Sequence, residues 1–140
     1  MCYAIGGTDW LFGGDHVMGW NSTLVAAPDG SMADYLASLR KLIALPMAQY
    51  LPAHGGPIAD GPGYARALLG HRELRDRQIA DAVTGGATTI GQLLDSIYPT
   101  LGVALRRAAA LTLQAHVEYL DARGIIRMRR GLLGMRLAPR

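Results

Sequence analysis

The chain has 140 residues, of which 50% are hydrophobic and 18% are charged, so it can fill one modest domain or two small ones and is not disordered throughout. No stretch approaches the ~18 apolar residues of a membrane span, the first residues lack the features of a signal peptide, and the single Cys2 excludes an internal disulfide. We therefore expect a cytoplasmic protein with no membrane partner. Residues 1–99 carry six Lys/Arg and nine Asp/Glu, a net of −3, whereas residues 100–140 carry eight Arg and two acids, a net of +6.

Two strand–loop units are predicted in the first part of the chain. A short apolar run at residues 11–12 indicates a strand that stops at a Gly pair, and Asp15 follows in the loop. Ser31 is a candidate N-cap for a helix with apolar residues at helical spacing. A second short strand over 47–51 ends in a Gly/Pro-rich loop that carries His54. Each strand therefore leads into a loop with a potential metal ligand, and sites in α/β folds lie at strand ends.

The second part of the chain is predicted to be mainly helical. Residues 60–63, Asp-Gly-Pro-Gly, indicate a turn and a domain boundary. One long or two abutting helices follow over 64–83, and Thr89 with Gln92 resembles a capping box for a helix that runs to Ile97. Residues 103–123 form the strongest predicted helix, and the segment after Gly124 favours a small hairpin with a basic turn, extending through Leu132 to Leu137. Three helices and a hairpin are typical of a winged helix.

Three segments together resemble the metallo-β-lactamase superfamily, in the branch that carries a C-terminal winged-helix domain. They are Leu11-Phe12-Gly13-Gly14-Asp15-His16-Val17, Pro52-Ala53-His54-Gly55-Gly56-Pro57 and His71-Arg72-Glu73-Leu74-Arg75. The resemblance implies an α+β chain: the C-terminal part of a metallo-β-lactamase αββα domain over residues 1–63, then a linking helix and a winged-helix domain over 64–140.

The same resemblance implies a metal site. Asp15 matches the carboxylate that bridges two zinc ions in the family, and His54 matches a histidine that ligates one of them. Carboxylate oxygen and imidazole nitrogen both suit Zn²⁺, and zinc activates water for hydrolysis. The implied function is a dinuclear zinc hydrolase acting on ester, thioester or phosphodiester bonds, with small-molecule or RNA substrates in the intact family.

The chain departs from the family in its remaining metal ligands. The family's His-x-His-x-Asp-His motif is absent, and the four histidines are His16, His54, His71 and His116. We interpret His16 as a neighbour of the site and His116 as a packed or boundary residue of a helix. The expectation is a C-terminal portion of such a hydrolase, inactive by itself because zinc sites use about three or four protein ligands.

A different function is indicated by the basic end of the chain. A non-catalytic winged-helix module could bind nucleic acid or protein, and the candidate phosphate contacts are Arg106, Arg107, Arg127, Arg129 and Arg130. The alternatives are a solvated surface and a domain that packs against the hydrolase and guides its substrate. A partial sheet with open edges also predicts self-association, so a homo-oligomer is a further expectation.

Overall fold

The computed structural model describes residues 1–26, 29–131 and 134–140. The predicted hairpin included Leu132 and Leu133, which lie outside the described residues. In chain order the elements are β1 (Tyr3–Ala4), β2 (Trp10–Gly14), α1 (Met32–Ala44), β3 (Gln49–Pro52), α2 (Gly61–Thr84), α3 (Ile90–Ile97), α4 (Val103–Ala122), β4 (Ile126–Gly131) and β5 (Gly134–Pro139). They form two compact units, a first unit of Met1–Thr23 with Asp34–Arg72 and a second unit of Leu24–Ala33 with Glu73–Arg140.

The first unit contains a small mixed sheet in the order β1-β2-β3. β1 runs antiparallel to β2, and β2 runs parallel to β3, with Leu11 opposite Tyr50. Both of these side chains are buried, and the Tyr50 hydroxyl donates to the carbonyl oxygen of Leu42, 2.9 Å away in α1. The two strands predicted from the sequence are confirmed, and because they are parallel their C-terminal ends lie at the same edge of the sheet.

The opposite face of this sheet is aromatic and exposed. Trp10 and Phe12 alternate with buried Leu11 along β2, and Tyr3 is paired directly with Phe12. Their relative exposures are 44%, 46% and 60% for Trp10, Phe12 and Tyr3. Side chains on alternate residues of a strand point to opposite faces, so all three lie on one side. This face is apolar and exposed, and self-association through it stays a prediction.

Helix α2 begins earlier than the sequence analysis predicted. Gly61, Pro62 and Gly63 form its first turn rather than a turn between domains. Asp60 precedes them, and its carboxylate accepts from the Gly63 backbone N–H at 2.8 Å. Proline is tolerated in the first helical turn because its missing N–H would have no partner in the helix. The turn prediction was therefore wrong. The boundary between the two compact units along α2 falls between Arg72 and Glu73, and the domain boundary at residue 63 stays a prediction.

The second unit encloses its own hydrophobic core. Thr89 caps α3 by accepting from the Gln92 backbone N–H at 3.2 Å, and Gln92 in turn accepts from the Thr88 backbone N–H at 2.7 Å. Gly124, with φ +71°, ends α4 as predicted. The buried core residues come from all of its main elements: Ile79, Val83, Leu93, Leu94, Leu113, Val117, Leu120, Ile126 and Leu137.

The order of three helices and an antiparallel hairpin agrees with the sequence analysis, while assignment to the winged-helix class stays a prediction. His116 of α4 is fully buried in this unit, as expected for a packed residue. Its Nδ1 lies 2.6 Å from Asp76 Oδ1 of α2. Among the described residues, no helix has both the length and the apolar character that crossing a lipid bilayer requires.

A candidate metal site at the ends of the parallel strands

Asp15 and His54 lie in contact in the first unit. Asp15 follows β2 and His54 follows β3, so each stands in the loop after one of two adjacent parallel strands. His54 Nδ1 lies 2.5 Å from Asp15 Oδ1, a hydrogen bond in which the imidazole N–H donates to the carboxylate. Their side chains remain 61% and 57% exposed. Both residues were predicted to lie at strand ends, and the structure brings them together.

Backbone contacts hold the two loops against each other. The Ala53 N–H donates to the Gly14 carbonyl at 3.0 Å, and the Gly19 N–H donates to the His54 carbonyl at 2.9 Å. At Gly19 a side chain would collide with the carbonyl oxygen of Gly56, and at Gly55, where φ is +91°, it would lie 2.8 Å from the Gly19 Cα. Glycine is therefore required at both positions, because any Cβ would force the loops apart.

The donor set fits zinc in kind but not in number. A carboxylate oxygen and an imidazole nitrogen are both ordinary zinc ligands. Within residues 1–26, 29–131 and 134–140, however, no group of three or more His, Cys, Asp or Glu side chains is placed to hold an ion. Zinc centres use about three or four protein ligands. Asp15 and His54 are thus a pair of candidate ligands and not a complete site.

A polar cluster that the sequence analysis missed lies beside Asp15. His16 packs edge-on against Tyr35 with ring centroids 4.9 Å apart, and the Arg72 guanidinium carbon lies 5.4 Å from the centre of the same ring. Arg72 also donates to the Thr23 carbonyl at 2.6 Å. Burial lowers the pKa of His16 and raises the pKa of Tyr35 because it disfavours the charged form of each.

The cluster includes one residue of the charged segment at 71–75 in α2. Arg72 is almost fully buried, whereas its neighbours His71 and Leu74 are exposed. One arginine among several charged residues carries no sequence signal of burial, and only the position of Tyr35 on α1 reveals it.

The structure divides the candidate phosphate-binding arginines into two groups. Arg106 pairs with Asp95 at 2.5 Å, and Arg130 pairs with Glu118 at 2.6 Å. Arg107, Arg127 and Arg129 are exposed, the last two on β4. Arg136 of β5 was not among the candidates, yet it lies directly opposite Arg129 across the hairpin. The position of Arg136 opposite Arg129 follows from the strand register. That register cannot be predicted from the sequence unless the turn between the two strands is known.

Two solved structures that superpose on this chain identify its fold. No family model matches the chain. A metallo-β-lactamase family protein from Thermus thermophilus superposes with a TM-score of 0.82 at 25% identity, over 99% of this chain and 44% of that one. A β-lactamase domain protein from Burkholderia ambifaria superposes with a TM-score of 0.81 at 23% identity, over 94% of this chain and 41% of that one. The chain has the metallo-β-lactamase fold.

Sequence relatives agree with this fold. The lactamase-like protein vrtG of Penicillium aethiopicum is 30% identical over 105 residues, which are 75% of this chain and 33% of that protein. The lactamase-like protein adaB of Aspergillus niger is 31% identical over 112 residues, which are 70% of this chain and 34% of that protein. Both relatives are named lactamase-like proteins, and the chain spans about a third of their length.

Proposed function

We propose that Asp15 and His54 are metal ligands and that the chain supplies them to the centre of a zinc-dependent hydrolase. The observation that carries this proposal is their direct contact, 2.5 Å between Oδ1 and Nδ1, at the ends of two parallel strands. The superfamily of the relatives and the chemistry of the two donors support it. A bound zinc ion supplies Lewis-acid activation of water for attack on an ester, thioester or phosphodiester bond.

The role of the chain's own residues is to preorganise two ligands. The Gly19 and Gly55 backbones hold the loops in contact, and the hydrogen bond to Asp15 orients the His54 ring. Zinc ligands bind in their deprotonated forms, so zinc binding at this pair would be accompanied by proton release. Two ligands bind zinc weakly, and further ligands would have to come from outside the described residues.

Zinc titration by calorimetry tests the proposal without relying on activity. We expect affinity far below that of a four-ligand site, which reaches roughly 10 to 16 kcal/mol, and no turnover of thioester or phosphodiester substrates. Asp15→Ala or His54→Ala should abolish the remaining binding. His71→Gln is the matched control, because it removes an exposed histidine elsewhere in the same unit and should leave binding unchanged.

Two results would contradict the proposal. If the Asp15→Ala variant binds zinc as tightly as the parent chain, Asp15 is not a zinc ligand. Tight binding of two ions by one copy of the chain, with hydrolysis of any of these substrates, would contradict the argument from ligand number.

A further inference from the structure

The hairpin formed by β4 and β5 has one strongly basic face. Six residue pairs join the strands, including Arg129 opposite Arg136 and Arg127 opposite Ala138. Residues 124–140 contain five arginines and no Asp or Glu. Ile126 and Leu137 are buried in the core of the second unit. Side chains alternate between the faces of a strand, so Arg127, Arg129 and Arg136 share the face directed away from that core.

The direct pairing of Arg129 with Arg136 is unfavourable without a ligand. Like charges opposite each other on a hairpin destabilise it, because their side chains are held within about 5 Å at Cβ. Both side chains are exposed, as is Arg127 two residues before Arg129. Among the described residues, none of these three guanidinium groups forms an ion pair with a carboxylate. Their positive charge is therefore uncompensated within the part of the chain that the structure describes.

Three other arginines of the second unit have described partners. Arg106 and Arg130 form ion pairs with Asp95 and Glu118, and Arg123 lies over the ring of Tyr119, 5.5 Å from its centre. The uncompensated charge of the hairpin is thus concentrated on one of its faces.

A shallow cavity coincides with this face. It has a volume of about 290 Å³ and is lined by Arg127, Arg129, Arg136, Leu137 and Ala138. Arginine presents a planar fork of N–H donors that matches phosphate oxygens in a bidentate geometry. Residues two apart on a strand are separated by about 6.8 Å, which is close to the spacing of successive phosphates along an extended polynucleotide strand.

We propose that Arg127, Arg129 and Arg136 form a binding site for the phosphodiester backbone of a polynucleotide. The site goes beyond the proposed hydrolase function, since it lies wholly in the second unit and needs no metal ion. Contacts to phosphate carry no base information, so binding is independent of sequence. Bound phosphates offset the Arg129–Arg136 repulsion, and the ligand therefore also stabilises the hairpin.

Fluorescence anisotropy with a labelled oligouridylate, in the presence of EDTA, tests this site. Affinity should fall with salt at a log–log slope of about −2, which is roughly −0.7 for each of three single-strand phosphate contacts. The variant Arg127→Gln/Arg129→Gln/Arg136→Gln should bind at least ~10-fold more weakly at ~50 mM salt and should lose most of that slope.

The matched control removes the same formal charge from arginines that already have partners. Arg106→Gln/Arg123→Gln/Arg130→Gln should reduce affinity less than about 3-fold, because these guanidinium groups are engaged by Asp95, Tyr119 and Glu118. Circular dichroism of both triple variants establishes that the helices are retained. An equal loss in the two triple variants would overturn the proposal, since it would show attraction by net charge alone.

Competition separates the possible ligands. Unlabelled oligouridylate should displace the probe, and the EDTA in the assay keeps this result distinct from the zinc test of Asp15 and His54. Displacement by polyglutamate at an equal concentration of charge would overturn the assignment to phosphate. Displacement by inorganic tripolyphosphate at an equal concentration of phosphate would overturn the assignment to a polynucleotide strand.

Discussion

The buried pair of Asp76 and His116 is the polar contact on which the stability of the second unit should depend most. His116 has a fully buried side chain and Asp76 is 13% exposed, with 2.6 Å between Oδ1 and Nδ1. The pair joins α2 to α4 beside a core of apolar residues. Hydrogen bonds to a charged partner contribute about 1.5 to 3 kcal/mol, and a buried donor that loses its acceptor costs about 1 to 3 kcal/mol.

We expect Asp76→Ala to lower the free energy of unfolding by about 2 to 3 kcal/mol, because it removes the acceptor at Nδ1 of the buried His116 side chain. Asp76→Asn should cost less, since its side-chain oxygen still accepts from the imidazole. Asp81→Ala is the matched control: Asp81 is an exposed acid on the same helix, and its removal should change stability by no more than ~0.5 kcal/mol.

Urea denaturation followed by circular dichroism measures this effect, because the helical signal comes largely from α2, α3 and α4. Trp10 and Trp20 both belong to the first unit, so their fluorescence follows that unit separately. The reasoning is refuted if Asp76→Ala unfolds at the same urea concentration as the parent chain, or if Asp81→Ala is destabilised equally.

Three further outcomes are expected. Gly19→Ala should separate the two site loops, lower the free energy of unfolding by about 1 to 3 kcal/mol and abolish zinc binding. The control Gly70→Ala lies at an open helical position and should stabilise the chain or leave its stability unchanged. Equal effects of the two substitutions would exclude the loop contact. Arg72→Met should expose the Tyr35 ring, which would be detected as altered chemical shifts of the ring protons in NMR spectra. Unchanged shifts would contradict the contact between Arg72 and Tyr35. Burial raises the pKa of the Cys2 thiol above its usual value, so iodoacetamide should react with it more slowly in the folded chain than in urea at neutral pH; equal rates would show that the thiol is not buried.

The local elements were largely predictable because their signals are short-range. The Thr89–Gln92 capping pattern located the start of α3, and Gly124 located the end of α4. The start of α2 was predicted wrongly, because the glycines and proline at residues 61–63 permit both a turn between elements and the first turn of a helix. Only the position of the Asp60 side chain as an N-terminal cap distinguishes the two.

The candidate site was predictable in its residues but not in its geometry. Asp15 and His54 were singled out by their loops and by resemblance, while their metal role stays a prediction. Their 2.5 Å contact depends on β2 and β3 being adjacent and parallel, which no spacing along the chain reveals. His16 lay beside the site as expected, but its packing against Tyr35 required the fold.

The sequence by itself determined where most of the helices and strands form, which residue types could bind a metal, and that the positive charge accumulates after residue 100. Tertiary structure alone decided which charges are compensated: Arg106 and Arg130 find carboxylates, Arg72 is buried against Tyr35, and Arg129 faces Arg136. The physical reason is that capping and periodicity act over a few residues, whereas electrostatic environment depends on neighbours that are distant in the chain.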